Sequence, residues 1–196
     1  FELLDSVNPQ IHRELANEIN WKNRLIGIKG TRGIGKTMFL LDFIKTNFGH
    51  DKSCLYVNLN NFYFSKNSLV EFANEFRKIG GKTLVLDQVF KYPDWSKALA
   101  EIYDRYPEIN VVFTGSPVMR LKEDNFYLKG KVSSYQLRGL SFREYLNFRS
   151  VNNFNKYTLE DLLKYHIEIA KDILFKVKPL AFFGNYLKEG FYPFFI

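Results

Sequence analysis

Gly30-Thr31-Arg32-Gly33-Ile34-Gly35-Lys36-Thr37 has the spacing G-x-x-x-x-G-K-T. Glycines in such a stretch let successive backbone N–H groups curl around an anion, and a helix starting at the lysine adds the positive end of its dipole. The flanks supply that setting. Leu25-Ile26-Gly27-Ile28 reads as a short buried strand and Lys36 to Phe48 as a helix, so the stretch joins strand to helix as a phosphate-binding loop does. In that loop Lys36 reaches the β- and γ-phosphates of a nucleotide and the Thr37 hydroxyl ligates Mg²⁺. Residues 30–37, with Met38 behind them, form the expected nucleotide-binding set.

Outward from the loop, strands and helices alternate. Cys54 to Leu59 is a second strand, and Ser68-Leu69-Val70-Glu71 is a capping box opening a helix that runs to Gly80-Gly81. Thr83 to Asp87 is a third strand, Asp94 to Tyr106 a helix capped at Asp94, Asn110 to Thr114 a fourth strand, and Tyr135-Gln136-Leu137 a fifth. This alternation predicts an α/β fold, a parallel sheet flanked by helices. Upstream, Gln10 to Ile19 reads as a short helix. Beyond Ser141 the pattern is helical over 142–148, 158–177 and 180–189. Met38, Phe39, Leu40, Leu41, Phe43 and Ile44 predict a central helix apolar nearly all round.

Asp87 ends a hydrophobic strand, where an acid is needed to hold the metal with Thr37. Thr114 or Ser116, at the tip of the fourth strand, would stand beside the γ-phosphate as a sensor. The alternative for both is an ordinary strand-to-loop turn.

The chain has 196 residues, 46% hydrophobic and 25% charged, which supports a packed core and excludes a disordered or fibrous chain. No apolar run is long enough to span a bilayer, so no membrane partner is expected. No signal peptide is visible at Phe1, and the single cysteine, Cys54, fits a reducing cytosol, so a cytoplasmic location is expected. His12, His50 and His166 stand too far apart in sequence to suggest a metal cage. The net charge of +7 comes from two blocks. Lys22, Arg24, Lys29, Arg32 and Lys36 form the first; Arg120, Lys122, Lys129, Lys131, Arg138, Arg143 and Arg149 dominate the second. Such an excess suits a polyphosphate or a nucleic acid equally. Eight aromatics between Phe175 and Phe195 read either as packing of terminal helices or as a docking surface.

Four segments, Gly30 to Thr37, Leu84 to Trp95 (LVLDQVFKYPDW), Val111 to Ser116 (VVFTGS) and Leu137 to Leu146 (LRGLSFREYL), resemble the prokaryotic AAA-type ATPases with an uncharacterised C-terminal domain. The resemblance implies an AAA-like P-loop core over 22–148, preceded by a helical segment over 1–21. A helical extension over 149–196 would begin a longer C-terminal region, the chain then being a fragment. It further implies a sheet in which another strand separates the loop strand from the Asp87 strand, and ATP with Mg²⁺ as cofactors. A homo-oligomer is open, as is a DNA or protein partner met through the basic surface or the missing C-terminal part.

The departures are informative. Gln88 stands where the family usually has a glutamate that polarises the attacking water, and an amide can hold water but not take its proton. Phe90 replaces a frequent histidine, Asn60-Asn61 an acid, and Gly130-Lys131 paired arginines. Lys131 lacks the planar fork of an arginine finger, and if it or Arg138 approaches the phosphates it does so from this chain or from a neighbour. Together these changes imply an ATPase domain with weakened hydrolysis. The competing expectation is a non-catalytic, nucleotide-gated module that binds DNA or a partner protein.

Overall fold

A parallel strand covered on both faces needs a nearly continuous apolar run, and three segments provide one. They form β1 (Leu25–Lys29), β3 (Thr83–Asp87) and β4 (Asn110–Gly115), all largely buried. The less buried β2 (Cys54–Asn58) and β5 (Ser133–Gln136) take the edges. The sheet is parallel throughout, in the order β2-β3-β4-β1-β5. As expected, another strand, β4, lies between the loop strand and the Asp87 strand. The computed structural model describes Leu4 and residues 12–119, 125–150 and 152–195.

The strand period of two sorts side chains between the two faces. Leu84, Leu86, Val111 and Phe113 join one core with Ala73 and Phe76 of α3 (Leu69–Lys78) and Leu99 and Ile102 of α4 (Trp95–Arg105). The other face carries Tyr56, Val85, Asp87, Val112 and Thr114 by the same alternation, and Asp87 there meets the first turn of α2 (Lys36–Asn47). Phe39, Leu40, Leu41 and Ile44 of α2 are buried, but Met38 is exposed, so the helix is less completely covered than its apolar sequence suggests. Its outer side is covered in part by Trp21, whose ring stacks on Phe43 at 4.0 Å and 14°.

Several boundaries differ from the reading of the sequence. The helix expected over 10–19 is α1 (Leu15–Glu18), four residues long; residues 10 and 11 lie outside those described. Ser68 caps α3 by accepting from the Glu71 N–H at 3.3 Å. Asp94 does not cap α4 with its side chain; it adopts a left-handed conformation (φ 48°) that turns the chain into the helix.

The described residues divide into two units, 15–138 in one, and 12–14 with 139–195 in the other. The division falls after Arg138, and α5 (Phe142–Ser150) packs within the second unit. Tyr145 of α5 meets Tyr186 at 5.4 Å, and Phe142 meets Phe183 at 5.2 Å. The second unit continues with α6 (Leu159–Lys176), opened by a reciprocal Thr158–Asp161 capping box, and α7 (Pro179–Asn185), which runs on into a wider turn over Tyr186–Gly190.

The SFRE sequence before and within α5 has a structural role. Ser141 Oγ accepts from the Glu144 N–H at 3.2 Å, and Glu144 Oε2 accepts from the Ser141 N–H at 2.8 Å, a second reciprocal cap. The other oxygen, Oε1, accepts from Arg13 Nε at 3.1 Å and from the Glu14 N–H at 3.0 Å, while Arg143 returns a bond to Glu14 Oε2 at 2.8 Å. Burial raises the Glu144 pKa, but the Ser141 N–H, the Arg13 charge and the Glu14 N–H outweigh it, and the net shift is downward.

Candidate nucleotide-binding site

The loop between β1 and α2 lies at the carboxyl edge of a parallel sheet, where open α/β sheets receive ligands. Two of its glycines carry the conformation the motif requires: Gly33 has φ 82° and Gly35 φ 88°, a region costly to a residue with a Cβ. Gly30 is needed for space instead. A Cβ there would stand 2.8 Å from the Leu137 carbonyl oxygen and 3.0 Å from Ile34 Cγ2. Lys36 folds back over the loop, donating from Nζ to the carbonyls of Gly30 (2.7 Å) and Thr31 (2.8 Å). Burial lowers its pKa, and the Asp87 charge opposes that shift.

Asp87, 1% exposed, is the centre of the arrangement. Three hydroxyls converge on its carboxylate. Thr37 Oγ1 donates to Oδ2 at 2.6 Å, Tyr56 donates to the same oxygen at 3.0 Å, and Thr114 Oγ1 donates to Oδ1. Thr114 also accepts from the Gln88 N–H at 3.0 Å. Burial, and then the Asp87 charge, raise the Tyr56 pKa. All three donors are neutral hydroxyls. A hydroxyl and a carboxylate side by side form an oxygen-only set, which suits a hard divalent cation.

Residues 22–146 match the AAA domain family. This chain belongs to that family. Among solved structures, the AAA domain is similar to AMPPCP-bound DnaA from Aquifex aeolicus. That match has 19% identity and a TM-score of 0.51, covering 94% of this chain and 69% of that one. It is also similar to PCH-2 from C. elegans, at 16% identity and a TM-score of 0.43. There the match covers 74% of this chain but only 43% of that one. At 19% identity the likeness to DnaA is one of fold. A search of curated proteins gives no match.

The remaining expected site residues of the AAA domain fall in different places. Gln88 directly follows Asp87 and is half-buried, with its backbone left-handed at φ 58°. Ser116, half-buried past the end of β4, has its N–H against the Met119 sulfur at 3.1 Å. Arg32 and Met38 are exposed at the loop. Lys131 does not join the set. It precedes the amino end of β5, at the edge of the sheet opposite the loop, and pairs with Asp104 near the end of α4. From there it cannot reach phosphates held by its own chain. Asn61 caps a short turn over Phe62–Ser65 through the Tyr63 N–H, and Asn60 is exposed beside it.

Tyr56 was not anticipated. Within Cys54 to Leu59 it reads as one more β-forming aromatic, and its role emerges only from the pairing of β2 with β3. Tyr56 is in register with Val85, so Asp87 is its diagonal neighbour on the same face, within reach of a phenol.

The two basic blocks of the AAA domain and its extension are largely engaged. Arg24 donates to the Tyr103 and Tyr106 carbonyls at the end of α4, and Lys29 to the Met119 carbonyl. In the second block, Lys131 pairs with Asp104, Arg143 with Glu14 and Arg149 with Glu189. Arg120 and Lys122 lie outside the described residues. No helix among the described residues is long and apolar enough to cross a membrane.

Proposed function

We propose that this AAA domain binds ATP with Mg²⁺ at the loop of residues 30–38 and hydrolyses it slowly. The observation that carries this reading is the 2.6 Å bond between Thr37 and Asp87, which brings the two expected metal ligands together across the loop mouth. Lys36 would exchange the Gly30 and Thr31 carbonyls for the β- and γ-phosphates, trading neutral acceptors for charged ones. Thr37 and Asp87 would hold the metal, which when bound supplies positive charge against the phosphoryl oxygens. Thr114 would fix Asp87 and the Gln88 backbone, and Ser116 stands nearby at the end of β4. Gln88 would orient the attacking water without accepting its proton, so turnover is slow.

Calorimetry with ATP and ADP tests the reading. Lys36→Ala is expected to weaken ATP binding about a hundredfold, roughly 2.7 kcal/mol. Unchanged affinity would reject the loop as the binding site. A role for Lys131 then requires a second copy of the chain, in which it acts on a neighbour's nucleotide. Cys54 is half-buried, and burial followed by the Asp51 charge raises its pKa to about 12. A single cysteine fits the cytoplasmic location we propose.

A second reading, a nucleotide-gated interaction module, is favoured by α6 and its surroundings. Leu159, Leu163, Leu174 and Phe175 are 73%, 72%, 61% and 91% exposed there, more apolar surface than a helix in water ordinarily shows. If the partner were DNA, binding across a salt series would show a steep log–log slope. The pairing of Lys131, Arg143 and Arg149 argues for a shallow slope or none.

A further inference from the structure

We propose that Tyr56 is a positioning residue for the metal-holding carboxylate, acting through Asp87 rather than on the nucleotide. The inference rests on the ATP-binding reading above and adds to it a residue that the loop motif and the strand-end acid do not include. Asp87 Oδ2 is the oxygen nearest the loop, since it is the one that accepts from Thr37. Tyr56 donates to that same atom from β2, and Thr114 holds the other oxygen from β4. The carboxylate is therefore gripped from both neighbouring strands, and its plane is fixed while Thr37 faces one oxygen. Removing the phenolic hydroxyl leaves Oδ1 anchored by Thr114 and Oδ2 facing Thr37 alone, with no hold from β2. Outer partners of this kind set the orientation and basicity of a ligand, and their loss typically weakens metal binding by 10- to 100-fold.

The loop and Lys36 act on phosphate charge whereas Tyr56 bonds to Asp87, so the two contributions separate experimentally. ATP binding to the whole chain and to Tyr56→Phe is measured by calorimetry, once in EDTA and once with saturating Mg²⁺. Phenylalanine keeps the ring and its packing, and a thermal melt verifies that the variant is folded. The expected result is equal affinity in EDTA, with the gain from Mg²⁺ reduced on the order of tenfold in the variant. An undiminished Mg²⁺ gain would overturn the proposal while leaving ATP binding intact. An equal loss with and without Mg²⁺ would also overturn it, showing that Tyr56 supports the loop as a whole. Absence of ATP binding by the unmodified chain would remove the ATP reading and this inference with it.

Discussion

Thr114 holds Gln88 by its backbone: the Gln88 N–H donates to Thr114 Oγ1 at 3.0 Å, and the same hydroxyl donates to Asp87 Oδ1. One buried side chain thus fixes two consecutive residues at the carboxyl end of β3. The left-handed backbone of Gln88 is held there by that bond, and the amide is left free of structural duty in the anchor. Glutamate has nearly the same shape, so substitution at this position changes chemistry more than geometry.

Gln88→Glu is therefore expected to raise ATP turnover, within the roughly 10²–10⁴ that a general base contributes, without tightening ATP binding. Steady-state phosphate release at saturating ATP and Mg²⁺, beside calorimetry on the same variant, measures both. Equal rates in the two proteins would show that the missing carboxylate does not limit hydrolysis.

Thr114→Val keeps the shape of a fully buried side chain and removes its hydroxyl. It leaves the Gln88 N–H unpaired and takes one of three donors from a buried carboxylate. The expected loss of stability is about 2 kcal/mol. Urea unfolding would register it as a lower midpoint with an unchanged slope. A wild-type midpoint would mean that another group satisfies Asp87.

At Gly30 the obstacle to a side chain is a backbone atom, the Leu137 carbonyl oxygen, 2.8 Å from the position of a Cβ. Gly30→Ala has to push β5 away from β1 or distort the loop. Overpacking of this sort costs about 1–3 kcal/mol. Nucleotide affinity should fall together with melting temperature. A variant that melts like the wild type and binds ATP equally well would contradict the close approach.

The Glu144 carboxylate gives the second unit an acid limit. Its folded pKa lies below the ordinary 4.5, so its stabilising contribution is complete above about that pH. The contribution is lost as pH falls through the lower folded value. Glu144→Gln should cost about 3 kcal/mol at neutral pH by taking a negative charge away from the buried Arg13. The difference between the two proteins should shrink on acidification below pH 4.5. Chemical denaturation at pH 7 and at decreasing acid pH tests both the size and the sign.

Much of the nucleotide-binding unit is legible along the chain because its determinants are local. Leu84-Val85-Leu86 before Asp87 announces a covered strand, and Gly30 to Thr37 sets its own turn geometry. Tyr56 was not legible, because its function is a property of register between β2 and β3, and register leaves no mark on either strand alone. The position of Lys131 is hidden for a related reason. The resemblance places it opposite a pair of arginines, whereas a residue just before a parallel strand lies at the end of the sheet away from the ligand edge. The boundary at Arg138 depends on Tyr145 finding Tyr186 and on Glu144 finding Arg13, contacts that no short window contains.

The crossed ion pairs of residues 13 and 14 with α5 impose an order on biosynthesis. Arg13 leaves the ribosome early and its partner Glu144 follows 131 residues later. At roughly 5–20 residues per second, about 7–26 s separate the two ends of this bond. During that interval the whole parallel sheet emerges and can close before the second unit has its first helix. The Arg13–Glu144 bond thus ties one of the first parts made to one of the later ones.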